Sequence, residues 1–480
     1  MNGRTSATLR APRKQGKLPK AAYYEHTVTR SRRHLSFTCS VLVLAATLLL
    51  GLIPAVRAAT ATTTTPPRFS TNGLAITDAA GRTLLLRGVD VMGAEYTPTN
   101  QPLPYDPSDF AKIRATGATV VRLPIAWANI EPQRGHYDPA ALDRARQIVA
   151  DAGAAGLLVV LDMHQWNWSP CYGGNGMPEW AVNPCPHMTS ASTAGLVIET
   201  PAETAFWTSK DLQAAFANAW VAVARAVGSP PNLLGYDLLN EPPVGLIPPG
   251  VFENAVLKPF YQRVAAGLRA VDPGGLIFVE PTISDFANRF TMVGLGIDRA
   301  VYSPHLYGDS FNDAQNQAAD FAGPTQFTPD LALGTLEAKN IDAALWPGEW
   351  GALDPHDPIG YKEVDYARDM LHAQDSFQVG SAYWTYNRTA PSWDPLIAAV
   401  FTRPSAFAVA GALLNVTSDE HHLHLQWRSD GGTTRISIPA AWTAPSVATT
   451  GPVTSTPTTD AGFRDFTAPS GATVVIDVSG

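Results

Sequence analysis

The chain has 480 residues, 45% of them hydrophobic and 16% charged, with 34 Lys/Arg against 42 Asp/Glu and a formal net charge of −8. That acidic excess repels phosphate backbones and anionic lipid headgroups, so it argues against a nucleic acid or a polybasic membrane dock as partner. Neutral ligands fit better.

The first sixty residues set the expected compartment. A basic stretch ending in Arg32 and Arg33 runs into an apolar segment from Val41 to Ile53 and then small residues around Ala58, the pattern of a secretory signal peptide with a long leader, 1–58. Ser31-Arg32-Arg33-His34-Leu35 also loosely resembles a twin-arginine export signal, which leaves the general and twin-arginine routes both open. The apolar segment is shorter than the roughly 20 residues that span a bilayer, so stable membrane insertion is not expected. Removing the leader takes ten Lys/Arg and one Glu with it and moves the net charge to −17, giving a distinctly acidic extracellular protein. Cys39 leaves with it. Cys171 and Cys185 remain, close in sequence and in an oxidising compartment, and are expected to form a disulfide. Metal ligation with His187 is the rival reading. Two Cys and one His without a second spaced pair make a poor zinc signature, so neither metal nor cofactor is expected.

Residues 59–70 read as a Thr/Pro-rich linker. Beyond it, β-branched runs alternate with longer amphipathic stretches. Leu84 to Val91, Thr119 to Pro124, Leu157 to Met163, Leu234 to Leu239, Leu276 to Glu280, Val301 to Tyr307, Ala344 to Gly348 and Gly380 to Tyr386 predict eight strands; helices are predicted at Ser108 to Thr116, Asp138 to Ala155, Leu212 to Val227 and Val251 to Val271. Continuously apolar strands covered on both faces belong to a parallel sheet, and eight of them predict an α/β fold of the (β/α)8 TIM-barrel type over 71–412. A doubly wound open sheet fits less well, because no Gly-rich phosphate turn follows the first strand. Past Ala412 alternating segments such as His422-Leu423-His424-Leu425-Gln426-Trp427 predict a small β-sandwich domain, 413–480, whose role the residues do not reveal. No motif speaks to oligomeric state, and a monomer is the default expectation.

In such a barrel the active site lies at the C-terminal strand ends. Arg122, Asp162 and His164, Asn240 and Glu241, His305 and Tyr307, Glu349 and Trp384 all fall there. One charged residue in that position is often only solvated, and a lone His is more often a hydrogen-bonded core residue than a ligand. Convergence of so many is the signature of a site. Two carboxylates on separate strands with aromatic and amide neighbours suit glycoside hydrolysis, in which one carboxyl stays protonated to donate to the leaving oxygen and the other is ionised to attack the anomeric carbon. Arg122 is placed to keep Glu349 ionised, His305 and Tyr307 to orient it, Asn240 to meet a sugar hydroxyl, and Trp384 to offer a flat apolar face. Reading the two glutamates as structural is weak, since unpaired buried charge costs several kcal/mol.

Leu238-Leu239-Asn240-Glu241-Pro242 and Trp346-Pro347-Gly348-Glu349-Trp350-Gly351 resemble the acid/base and nucleophile motifs of glycoside hydrolase family 5, a (β/α)8 family of retaining enzymes. Val121-Arg122-Leu123-Pro124, Leu161-Asp162-Met163-His164-Gln165 and Ser303-Pro304-His305-Leu306-Tyr307 match in family order, and the resemblance spans about 75 to 410. It implies that Glu241 is the acid/base, Glu349 the nucleophile, Arg122 and Tyr307 its supports, and that His164, Asn240, His305 and Trp384 line the subsite of the cleaved sugar. Within the family the Asp-Met-His-Gln run, the His-Leu-Tyr run and the appended β domain most resemble the endoglycoceramidase branch, which would make the substrate a glycolipid. That branch usually carries an acidic residue where this chain has Trp166. An endo-β-1,4-glucanase or mannanase, an exo-β-glucosidase and, more distantly, a catalytically silent carbohydrate-binding protein remain as rivals; the presence of both glutamates speaks against the last. Trp166, Trp168 and Trp180 are either a sugar platform or the core of a stapled loop. Val244 to Pro249 and Met292 to Ile297 either line an aglycone groove or pack on the barrel.

Overall fold

Each of the eight apolar runs becomes a strand of one parallel sheet in a computed structural model, which describes residues 67–189, 199–282, 291–307, 327–351, 361–388, 393, 395–458, 460 and 462–480. The leader and the first part of the linker lie outside the described residues. The strands are β1 (Arg87–Val91), β2 (Val120–Ile125), β3 (Leu158–Met163), β4 (Leu233–Asp237), β5 (Leu276–Val279), β6 (Ala300–Tyr302), β7 (Ala344–Leu345) and β8 (Ser381–Tyr386). They pair in chain order from β1 to β7, with β8 beside β1. Just beyond β7, the N–H of Ala382 donates to Pro347 O at 3.1 Å and that of Trp384 to Trp350 O at 2.8 Å, which closes the ring into a (β/α)8 barrel.

The continuity of the apolar runs follows from double burial. Val120, Val160, Leu234, Leu276, Phe278, Val301 and Ala382 belong to one cluster, while their alternates Val121, Val159, Leu161, Tyr236 and Ile277 pack in another with the helices. That is the two-residue period of a strand with a face on each side. The helices carry matching stripes, as in Pro139–Ala154, where Ala141, Ala145, Ile148, Val149 and Ala152 are buried and Asp138 caps the first turn through the Ala140 N–H. The long helix expected over Val251 to Val271 is interrupted, running as Pro249–Phe252, a π turn at Glu253–Leu257 and then Lys258–Arg269. Among the described residues no helix is long and apolar enough to cross a membrane.

The C-terminal sandwich is larger than its sequence texture implies. One sheet has the order Phe69–Asn72, Ala75–Asp78, Thr83–Leu84, Ser405–Val409, Thr433–Ser437, Phe463–Thr467, Thr454–Pro457; the other has the order Gly411–Ser418, His422–Ser429, Thr473–Ser479, Ser446–Thr450. Val416, Leu423, Leu425, Trp427, Ile436, Phe466, Val474 and Ile476 are among the core between them. Three of these strands precede the barrel, and Phe69 and Ser70 fall within the stretch read as linker. The turn at Gly73, with φ +57°, folds them into a hairpin, and Phe69, Ile76 and Leu84 pack against inward-facing barrel residues.

Candidate active site

Parallel strands in register bring their C-terminal ends together, and polar side chains there converge on one guanidinium. Arg122, fully buried on β2, donates from Nε to Asp237 at 3.0 Å and from Nη1 to Asp90 at 3.0 Å and Glu349 at 2.6 Å. Its Nη2 donates to Asn240 Oδ1 at 3.0 Å and Glu280 at 2.8 Å and lies 3.2 Å from Asp162. One cation thus sits among five buried carboxyls. Asp162, Asp237 and Glu280 offer oxygens within 4.8 Å of one another, and Arg122 already forms an ion pair with each of them.

Burial would push the Glu349 carboxyl up, but the charges of His305, Arg122 and His164, with the Tyr307 hydroxyl donating at 2.8 Å, outweigh it and hold the group below the ordinary value. The surplus negative charge appears elsewhere. Burial, reinforced by like charge, raises Asp90, Asp237 and Glu280 against the pull of Arg122 and His305. Burial disfavours imidazolium, yet Glu280 and Glu349 raise His305 well above its usual range, and Asp162 likewise raises His164.

Glu241 stands across from this cluster. Its backbone is in the left-handed region, with φ +42°; its N–H donates to Glu280 Oε2 at 2.6 Å, and its carboxyl lies 2.9 Å from His305 Nδ1. A carboxyl oxygen of Glu241 and one of Glu349 lie within 4.8 Å of each other. Asn240 spends its Oδ1 on Arg122 and one Nδ2 hydrogen on Gln165 O at 3.1 Å, so it braces the loop. His164 Nδ1 bonds Asp162 at 2.7 Å, and its ring stacks on Trp384 with centroids 5.3 Å apart and planes within 8°.

Every expected residue on β2, β3, β4, β6 and β7 therefore joins one constellation, and Trp384 on β8 reaches it through His164. The tryptophans near the cysteines divide. Half-buried Trp166 bridges Asn175, Trp168 is buried against Phe206 and Trp207, and Trp180 packs edge-on against Trp127 while donating to Glu131 O at 2.8 Å. Cys171 and Cys185 form a disulfide closing this loop. The two aliphatic loops also divide: Leu246 and Val293 are exposed by 74% and 58%, whereas Met292 and Leu295 are buried.

Sequence reasoning missed Asp90, Asp237, Glu280 and Glu95. The first three end strands, by the same rule that found Glu349, but no motif marks them. Glu95 lies in the loop after β1, buried, accepting the Gly93 N–H at 2.7 Å and pushed up to about 7 by desolvation, with His164 pulling the other way.

A sequence model of cellulases, glycosyl hydrolase family 5, matches residues 77–390. The chain is 29% identical over 359 residues to endoglycoceramidase I of Rhodococcus hoagii (strain 103S), covering 67% of this chain and 68% of that one. To an endoglycoceramidase of Cyanea nozakii it is 28% identical over 277 residues, 48% of this chain and 55% of the relative. Among solved structures, endo-glycoceramidase II from Rhodococcus sp. in a cellobiose-like imidazole complex superposes with a TM-score of 0.73 at 25% identity, covering 85% of this chain and 99% of that one.

Proposed function

The chain belongs to the cellulase family, glycosyl hydrolase family 5, and is a glycoside hydrolase; from that premise we propose that it is a retaining β-glycosidase releasing glycan from a glycolipid, with Glu349 as nucleophile and Glu241 as acid/base. The observation that carries the reading is the pair of carboxyls with oxygens within 4.8 Å and unequal surroundings. Retaining enzymes keep their carboxyl groups about 5–5.5 Å apart, whereas inverting ones leave about 6.5–9.5 Å for a water. Glu349, held ionised by Arg122, His305 and Tyr307, attacks the anomeric carbon while Glu241 gives its proton to the leaving oxygen. The glycosyl ester is then cut by a water that the Glu241 carboxylate deprotonates, which restores both groups. His164 and Trp384 present a stacked polar and flat wall to the ring.

The glycolipid part rests on the names of the relatives and on Leu246, an exposed apolar side chain five residues beyond Glu241 in the same strand-end loop. Export from the cell is part of the same proposal and rests on the leader. The test incubates the protein with glucosylceramide, a ganglioside, cellobiose and soluble glucan and identifies the products. Release of intact glycan and ceramide supports the proposal; cleavage of glucan or cellobiose alone overturns the glycolipid reading in favour of an endoglucanase or β-glucosidase. In parallel, Glu349→Gln must fold and must no longer be trapped covalently by a 2-fluoroglycosyl inactivator. Labelling at the wild-type rate assigns the nucleophile elsewhere.

A further inference from the structure

Glu280 is buried to 1% exposure and follows the last residue of β5, and no motif draws attention to it. Its two oxygens nonetheless do different jobs. Oε2 accepts the backbone N–H of Glu241 at 2.6 Å. Oε1 accepts Arg122 Nη2 at 2.8 Å and lies 3.3 Å from His305 Nε2, while the other ring nitrogen of His305 faces the Glu241 carboxyl at 2.9 Å. Glu280 therefore grips Glu241 twice, directly at its backbone and through an imidazole at its side chain. Its own backbone oxygen is tethered by the Tyr261 hydroxyl at 2.9 Å, so the gripping group is fixed in turn.

The need for such a grip is visible in the backbone. Glu241 sits at φ +42°, a conformation costing a non-glycine residue of order 1 kcal/mol or more, which persists only where the surroundings impose it. A carboxyl oxygen that accepts the N–H of that same residue is the most direct way to impose it. Rotation of this one peptide would swing the carboxyl away from the leaving oxygen, and misplacement by about 1 Å can cost on the order of 100-fold in rate.

We propose that Glu280 is the positioning residue of the acid/base: it locks the Glu241 backbone and, through His305, aims the Glu241 carboxyl at the glycosidic oxygen. This rests on Glu241 being the acid/base. Glu280 touches no reacting atom, and its loss should resemble a selective weakening of proton transfer rather than a general loss of the site. Nucleophilic attack by Glu349 keeps its own bonds from Arg122 Nη1 and Tyr307 and should persist, with a small loss common to every substrate because Glu280 also pairs with Arg122 and with His305, which lies 3.4 Å from Glu349.

The readout that separates positioning from scaffolding is leaving-group dependence. A 2,4-dinitrophenyl glycoside departs without protonation, whereas an alkyl or methylumbelliferyl glycoside needs the acid more as its leaving group becomes more basic. Glu280→Gln and Glu280→Ala are compared with the wild type and with Glu241→Gln on this series, with and without azide, alongside thermal melting. The expected result is that Glu280→Gln melts closer to the wild-type temperature than Glu280→Ala, which leaves the Glu241 N–H without its acceptor, and that both lose about 10- to 100-fold in kcat/KM on basic leaving groups. On the dinitrophenyl substrate they should retain kcat/KM within a few-fold, and azide should raise kcat and yield a glycosyl azide. An equal loss on every substrate, with no azide effect, overturns the inference if Glu241→Gln shows the selective pattern. If Glu241→Gln also lacks it, the acid/base assignment itself falls. Should Glu280→Ala fail to fold, the isosteric Glu280→Gln and its rate of trapping by 2,4-dinitrophenyl 2-fluoroglycoside decide: trapping near the wild-type rate supports positioning, and trapping slowed in parallel with turnover refutes it.

Discussion

The Nη1 of Arg122 donates to Oε1 of Glu349 across 2.6 Å, with both groups enclosed by the barrel. The guanidinium helps hold Glu349 ionised, and the carboxyls around it depend on the same charge. Removing it exposes both dependencies at once. Arg122→Met leaves Asp90, Asp162, Asp237, Glu280 and Glu349 without their shared cation, so the expected cost is about 3–5 kcal/mol of stability, since breaking a buried pair strands a charge. Arg122→Lys should fall between, because an ammonium cannot fork to several carboxylates. Urea unfolding measures both. An Arg122→Met midpoint equal to that of the wild type contradicts the account.

Tyr307→Phe tests the other support of Glu349. The hydroxyl donates to Glu349 Oε2 at 2.8 Å, and a hydrogen bond to a charged group is worth about 1.5–3 kcal/mol. The expected loss in kcat/KM is about 10- to 100-fold. Because that bond lowers the Glu349 carboxyl, its removal should also shift the acidic limb of the pH profile of kcat/KM towards higher pH. A loss of rate with an unmoved acidic limb would mean that Tyr307 positions substrate instead.

The barrel and the two glutamates were legible because each rests on a local signal. A doubly buried strand is apolar along its whole length, and Asn240-Glu241-Pro242 and Gly348-Glu349-Trp350 sit within single strand-end loops. Glu280 and Asp90 are as central to the charge balance, but a lone acid after an apolar run looks the same whether it points into the cluster or into water. The hairpin ending at Leu84 was hidden for a different reason. Its strands have two to four residues, and Leu84 pairs with Ala408, so the pairing that makes it part of the sandwich lies far beyond any window in which periodicity can be seen. Trp180 and Trp168 show a further limit, since a tryptophan looks alike in sequence whether it faces a sugar or Trp127 and Phe206.

Stability should fall as pH rises through neutrality. Burial, the largest cause in each case, raises Asp90, Asp237 and Glu280, and raises Glu95 to about 7. His164 and His305 are also raised, because neighbouring carboxylates overcome the effect of burial. All of these groups bind protons more tightly in the native state than in the unfolded chain, so each contributes stability that is present below its unfolded value and is lost as pH rises through its raised native value, which for Glu95 is about 7. Glu349 acts in the opposite sense: its contribution is present at neutral pH and fades only as pH falls through its lowered native value. Melting temperature measured from about pH 5 to 8.5 should decline, and Glu95→Gln should flatten the part of the decline near pH 7. A curve that rises across that range would reverse the sign of the argument.

The disulfide between Cys171 and Cys185 closes a loop of sequence separation 14, within which Gly173 and Gly174 turn the chain so that Asn175 pairs back with Trp166. Closing a loop of about 15 residues removes roughly 3 kcal/mol of unfolded-chain entropy in the simplest model. Glu179 and His187, ion-paired at 3.0 Å on the exposed side, add little, since surface pairs are worth at most about 1 kcal/mol. The double variant Cys171→Ser/Cys185→Ser should therefore melt lower than the oxidised wild type and about where the reduced wild type melts. Its carboxyl cluster is built on the barrel strand ends outside this loop and stays intact, so kcat is expected to be kept within a few-fold. Equal melting of oxidised and reduced protein would show that the loop is held by its tryptophans alone, and a collapse of kcat would show that the loop reaches the reacting groups.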